Sequence, residues 1–291
     1  MLRGIVRSAR PHQWVKNAFV LAPLIFSLNV GEPALVWRAL WAFAVFCLIS
    51  SSVYYLNDLV DIEADRAHPL KRQRPIASGQ VPVAVARIAC GVALALALGG
   101  ALVLNWQVAL VAALYFGLNL AYSLRLKHYA FVDVSIIATG FLLRVLAGSL
   151  AIAVVVSTFL VLCTFSLALF LALGKRMHEL RGSAAGAKQR AVLGRYRKAH
   201  VHWAMVVVGS VTLLAYVAYT LAPHTQAFFG FGWPRLVLTV PFTAFGLYRF
   251  HRLVSPEHSA MSPTEQMLKD KPFLLNLVLW GAVVVAAVYL P

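Results

Sequence analysis

Residues 88–124 contain no charged side chain. A single helix of that length would run well past the ~30 Å hydrocarbon layer of a bilayer. The stretch must therefore fold back as two membrane spans, and Gly99-Gly100 or Asn105-Trp106 are the places where it can turn. Residues 145–174 are likewise uncharged and hold parts of two further helices. A soluble fold is excluded. Charged residues make up 12% of the chain and hydrophobic ones 61%, with a mean hydropathy of +0.77, whereas soluble domains carry roughly a quarter charged residues. The expected class is an all-α integral membrane protein.

Nine spans are expected, near 15–30, 37–57, 83–104, 107–124, 131–152, 156–175, 202–221, 234–249 and 272–290. The eighth is short and flanked by Arg235 and Arg249, which can snorkel. With the N-terminus in the cytoplasm, the inside segments 1–16, 58–82, 125–130, 175–201 and 249–271 hold 22 of the 26 Lys and Arg residues. That bias sets the orientation of a multi-pass membrane protein with these segments on the cytoplasmic side. The formal charge of +16 then reads as cytoplasmic loops and anionic ligands rather than nucleic acid. Cys47, Cys90 and Cys163 lie far apart in apolar stretches and read as small buried hydrophobes. No cleavage pattern of a signal peptide follows the basic N-terminus. Residues 1–291 are expected to form one transmembrane domain. A homo-oligomer is compatible with the sequence but not indicated by it.

Positive-inside bias explains the cations and leaves the acids unexplained. Only ten Asp and Glu residues occur in the chain, and four of them fall within 54–75. On a helix at about 100° per residue, Asn57, Asp58, Asp61 and Asp65 share one face, while Glu63 points the other way. Carboxylates with no cation among them repel, so the face is costly unless something positive binds it. Clustered carboxylates and an amide oxygen suit a hard divalent ion such as Mg²⁺, with Mn²⁺ as a substitute, completed by water and phosphate oxygens. The bland alternative is a solvated helix end whose acids pair with Lys71, Arg72 and Arg74. A second charged stretch, "GKRMHEL" (174–180), puts Lys175, Arg176 and Glu179 on one helical face. Arg144 sits within an apolar helix, which marks it as a polar-core or cavity residue.

The stretch "NDLVDIEAD" (57–65) resembles the first aspartate-rich motif of the UbiA superfamily of intramembrane prenyltransferases. That resemblance implies nine transmembrane helices around a central cavity opening to the cytoplasmic side, and Mg²⁺-dependent binding of a diphosphate by Asn57, Asp58, Asp61 and Asp65. In "GKRMHEL" a cation stands where the family's second aspartate pair is expected. Together with "RPHQWVKN" (10–17), "HPLKRQRPIASG" (68–79) and "LKHYAFVDVSIIATGFLLRVLAGSLA" (126–151), it resembles the phosphoribosyltransferase branch. That branch moves 5-phosphoribose from phosphoribosyl diphosphate to a decaprenyl-type polyprenyl phosphate. The implied site must neutralise two further phosphates. Lys16, Lys71, Arg72, Arg74, Lys127, Lys175 and Arg176 would meet that demand, and Asn17, Arg144 and Glu179 join the substrate-binding set. Asp133 would orient Lys127 or a ribose hydroxyl. Two rivals stand beside this expectation. One is a prenyl transfer from prenyl diphosphate to an aromatic acceptor. The other is a transporter, disfavoured because the charge gathers at one membrane face instead of the midplane.

Overall fold

The computed structural model describes residues 1–69, 71–181, 191–229, 234–254, 263–267 and 269–289. All regular structure among them is helical. Seven helices are long and apolar enough to cross a membrane: Pro33–Val60, Val83–Leu104, Trp106–Leu124, Val132–Ile152, Thr158–Arg181, Lys198–Leu221 and Lys271–Tyr289. The uncharged run turns at Asn105, whose side chain caps the next helix by accepting from the Val108 N–H at 2.8 Å. That satisfies one of the orphan donors at the helix start. Gly99 and Gly100 lie inside the preceding helix.

The first and eighth expected spans are compound. Pro11–Leu21 is a 3₁₀ helix continued by the short α-helix Ala22–Phe26, and the 3₁₀ turn Arg235–Thr239 leads into the α-helix Val240–Val254. Hydropathy registers the length of an apolar run but not its winding. The expected inside segment 175–201 lies partly outside the described residues.

The chain forms two compact units. The first comprises residues 1–127 and 139–156. Here Pro33–Val60 packs along Val83–Leu104 and against Trp106–Leu124. Their core joins Val45, Phe46, Ile49, Ala97, Val108 and Tyr115 to Ala147 and Ala151 of the helix Val132–Ile152. Gly148 makes that packing possible, because a Cβ there would lie 1.8 Å from the Val20 carbonyl oxygen. The second unit comprises residues 128–138 and 157–291. Its core is built mainly from Thr158–Arg181, Lys198–Leu221 and Val240–Val254, around Phe170, Leu173, Met205 and Phe250.

Candidate active site

The acidic stretch follows a long helix that stops at its first aspartates. Pro33–Val60 carries Asn57 and Asp58, Asp61 caps it at φ −94° and ψ 11°, and Ile62–Ala67 carries Asp65. The four-residue ladder nevertheless runs through the break. The Asp61 N–H donates to the Asn57 carbonyl at 2.9 Å, and the Asp65 N–H to the Asp61 carbonyl at 2.8 Å. Asn57, Asp61 and Asp65 therefore keep the common face that the spacing predicts. Asp58 and Asp65 are each 2% exposed. The Glu63 side chain is 81% exposed and, among the described residues, pairs with Arg66, one turn on, at 2.8 Å.

The carboxylates are not without cations, as the spacing alone suggested. Arg74 Nη1 donates to Asp58 Oδ1 at 3.1 Å and to Asp65 Oδ2 at 2.5 Å. Arg10 Nη2 donates to the same Asp58 oxygen at 2.5 Å, and Lys127 Nζ to Asp61 Oδ1 at 2.5 Å. The Asn57 amide oxygen accepts from the Ser123 hydroxyl. Arg74, one of the cations of the bland alternative, is thus found on these acids, and its loop is fixed: Pro75, Ile76 and Ala77 are buried, and Gly79 closes the turn at φ +79°. Lys71 is half-buried and Arg72 exposed.

Arg10 is a member of this cluster that the sequence did not single out. It ends the helix Leu2–Ala9 in the left-handed region, φ 54° and ψ 59°, a conformation that persists in a non-glycine residue only when its surroundings enforce it. Here the Tyr55 hydroxyl donates to the Ile5 carbonyl, the Ser51 hydroxyl to the Ala9 carbonyl, and the Trp14 indole N–H to Ser51 Oγ. These bonds stitch the N-terminal segment along Pro33–Val60 and aim Arg10 at Asp58. Its guanidinium also lies 4.9 Å from the Tyr54 ring centroid.

Asn17 and Arg144 meet each other inside the first unit. Asn17 is fully buried and donates to Ser50 Oγ at 3.0 Å. Arg144, 6% exposed, donates to Asn17 Oδ1, the Gly140 carbonyl and the Tyr115 hydroxyl at 2.8, 2.9 and 2.8 Å. Arg144 is the polar-core residue its position implied. Among the described residues its charge is met by neutral acceptors and aromatic faces, not by a carboxylate. Lys16 is exposed.

In the second unit the structure separates residues that the helical wheel grouped. Lys175 is exposed, while Arg176 is 1% exposed and donates through Nε to Asp133 Oδ2 at 2.7 Å and through Nη1 to Glu179. Asp133 is fully buried and also accepts from the Tyr196 hydroxyl, which in turn accepts from the Phe131 N–H at 2.7 Å. Asp133 therefore orients Arg176 and Tyr196, not Lys127, whose ammonium is on Asp61. Burial, and then the bond to Asp133, raises the Tyr196 pKa above its ordinary value, keeping the phenol a donor. The wheel finds a shared face but not which part of it turns inward.

The chemistry of the first cluster fits a divalent cation. Asp58 and Asp65 already converge on a single positive nitrogen, so both can present oxygens to one ion. Among the described residues no three His, Cys, Asp or Glu side chains enclose a metal position. Water and substrate oxygens would complete the coordination, as they commonly do for Mg²⁺.

The family model described as "UbiA prenyltransferase family" matches residues 18–268, and the chain belongs to that family of membrane enzymes. The decaprenyl-phosphate phosphoribosyltransferase of Mycolicibacterium smegmatis is 33% identical over 309 residues, covering 99% of this chain and 93% of that protein. The Corynebacterium glutamicum protein of the same name is 34% identical over 295 residues, covering 99% and 87%. A UbiA homolog from Archaeoglobus fulgidus, solved bound to GPP and Mg²⁺, superposes with a TM-score of 0.75 at 18% identity, covering 98% of this chain and 99% of that one. That superposition places the chain in the UbiA fold.

Proposed function

We propose that the chain transfers 5-phosphoribose from phosphoribosyl diphosphate to a polyprenyl phosphate and releases diphosphate. The observation that carries this is the Asp58–Asp61–Asp65 cluster interleaved with Arg10, Arg74 and Lys127, which offers metal-ligating oxygens and phosphate-binding cations in one place. The near-full-length similarity to two proteins named for that transfer supports the donor and acceptor. Asn57, Asp58, Asp61 and Asp65 would hold Mg²⁺, with Mn²⁺ as a substitute. The ion, when bound, would supply charge stabilisation for the departing diphosphate.

The chain's own residues then have distinct tasks. Arg10, Arg74 and Lys127 are held at the site by the carboxylates and can take phosphate oxygens in charge-assisted hydrogen bonds. Lys16, Lys71, Arg72 and Lys175 are proposed as further phosphate partners. The buried Arg176 and Asp133, with the half-buried Glu179, hold the end of the helix that carries Lys175. Arg144 and Asn17 would fix the packing of the helix Val132–Ile152 against the N-terminal segment. The transition state should resemble an oxocarbenium ion, as in other glycosyl transfers. The lipid phosphate is already anionic near neutral pH, so no general base is assigned. We further propose one UbiA-type domain of nine spans, the compound first and eighth segments included, in a bacterial cytoplasmic membrane with the site open to the cytoplasm.

A donor comparison with purified enzyme tests the reading. Radiolabelled phosphoribosyl diphosphate should label polyprenyl phosphate, and prenyl diphosphate with an aromatic acceptor should give no product. The opposite pattern would assign the chain to prenyl transfer.

A further inference from the structure

The second unit contains a groove of about 200 Å³ that none of the proposed catalytic residues line. Phe170, Met205, Val206, Gly209, Leu213 and His251 form its walls. From Met205 to Leu213 it follows two turns of helix, about 12 Å. At Gly209 the Phe170 ring packs directly on the helix backbone, since a Cβ there would stand 3.1 Å from it. Val206 and Ser210 on its rim are exposed. Two of the helices that form it, Thr158–Arg181 and Lys198–Leu221, have membrane-spanning hydropathy, so the medium along the groove is acyl chain.

One end of the groove is basic. The His251 and His202 rings lie 5.6 Å apart; burial first, then His202 and the charge of Arg181, push the His251 pKa down, so His251 offers a neutral imidazole N–H and the charge comes from the arginines and lysine around it. Arg197, Lys198 and Arg252 are exposed at the same helix ends. Trp203, 64% exposed, sits edge-on to His202 at 5.8 Å. An exposed tryptophan at a span's end marks the headgroup level of a bilayer.

We propose that this groove binds one anionic phospholipid, its acyl chain between Phe170 and Leu213 and its phosphate beside Arg181, His202 and His251. The basic end selects a negative headgroup over a zwitterionic one, since each Lys or Arg near a surface adds attraction for anionic lipid.

Native mass spectrometry of the delipidated full-length protein in detergent tests the site, with phosphatidylglycerol, phosphatidylcholine and a polyprenyl phosphate as probes. Phosphatidylglycerol should be retained about fivefold more strongly than phosphatidylcholine. Ser210→Phe, which fills the groove from its open rim, and Arg181→Gln, which removes the fixed charge, should each reduce that preference while circular dichroism is unchanged. Equal retention of the two phospholipids would overturn the proposal, as would a preference that survives both substitutions. Stronger retention of polyprenyl phosphate than of phosphatidylglycerol would assign the groove to the acceptor lipid and overturn it too.

Discussion

Two clusters of acids and bases stand out among the described residues, and they differ in what covers them. Around Asp58, Asp61 and Asp65 the cations keep contact with the exterior: the side chains of Arg10, Arg74 and Lys127 are 24%, 31% and 23% exposed. Around Asp133 the pairing is closed, with Arg176 1% and Asp133 0% exposed. An ion pair that can rearrange is able to exchange a guanidinium for a metal or a phosphate. A fully buried pair cannot do so without leaving an uncompensated charge. The same residue types thus form a rearrangeable cluster in one unit, where the ligand site is proposed, and a closed fastening in the other.

Loss of a carboxylate from the open cluster should have the largest effect. Asp58→Ala or Asp65→Ala should lower transfer by about a thousandfold or more, because in the proposed site the metal would act directly on the leaving group. Both variants should keep a wild-type helical spectrum, since Arg74 retains one of its two acids. A folded variant with near-normal activity would reduce the open cluster to a second fastening.

In the closed cluster the effect should appear in stability. Asp133→Asn removes the buried carboxylate on Arg176 Nε and should destabilise the protein by roughly 3–5 kcal/mol, read as a lower Tm in detergent. Arg176→Ala should behave similarly, instead of merely weakening phosphate binding. The raised Tyr196 pKa adds a pH signature. Its contribution to stability is complete below the unfolded phenol's value near 10 and is lost as pH rises beyond it, while the unfolded phenol ionises first. Tyr196→Phe should remove that alkaline dependence.

Smaller effects separate the partners of the open cluster. Lys127→Met should lower kcat/KM by about ten- to a hundredfold, the scale of one charge-assisted contact. Glu63→Ala should change neither activity nor stability measurably, because its exposed pair with Arg66 contributes only about 0–1 kcal/mol. Equal sensitivity at Glu63 and Asp61 would break the distinction between the two sides of this helix.

What the sequence revealed and what it hid divide along the range of the interactions. The hairpin at Asn105 and the shared face of Asn57, Asp61 and Asp65 follow from local composition and helical periodicity, and both are found. Arg10 on Asp58 joins residues 48 positions apart, and nothing in "RPHQWVKN" marks that arginine out from other loop cations. The burial of Arg176 beside an exposed Lys175 depends on Asp133 and Tyr196, 43 positions before Arg176 and 63 after Asp133. Hydropathy located the first and eighth apolar segments but cannot distinguish 3₁₀ from α winding.

The most direct test of the metal–diphosphate site is calorimetric titration of phosphoribosyl diphosphate into purified enzyme with and without Mg²⁺. Wild type and Glu63→Ala should bind it only when Mg²⁺ is present, and Asp58→Ala should bind it in neither condition. Equal binding in the absence of Mg²⁺, or wild-type binding by Asp58→Ala, would contradict the assignment of these aspartates to a metal-held diphosphate.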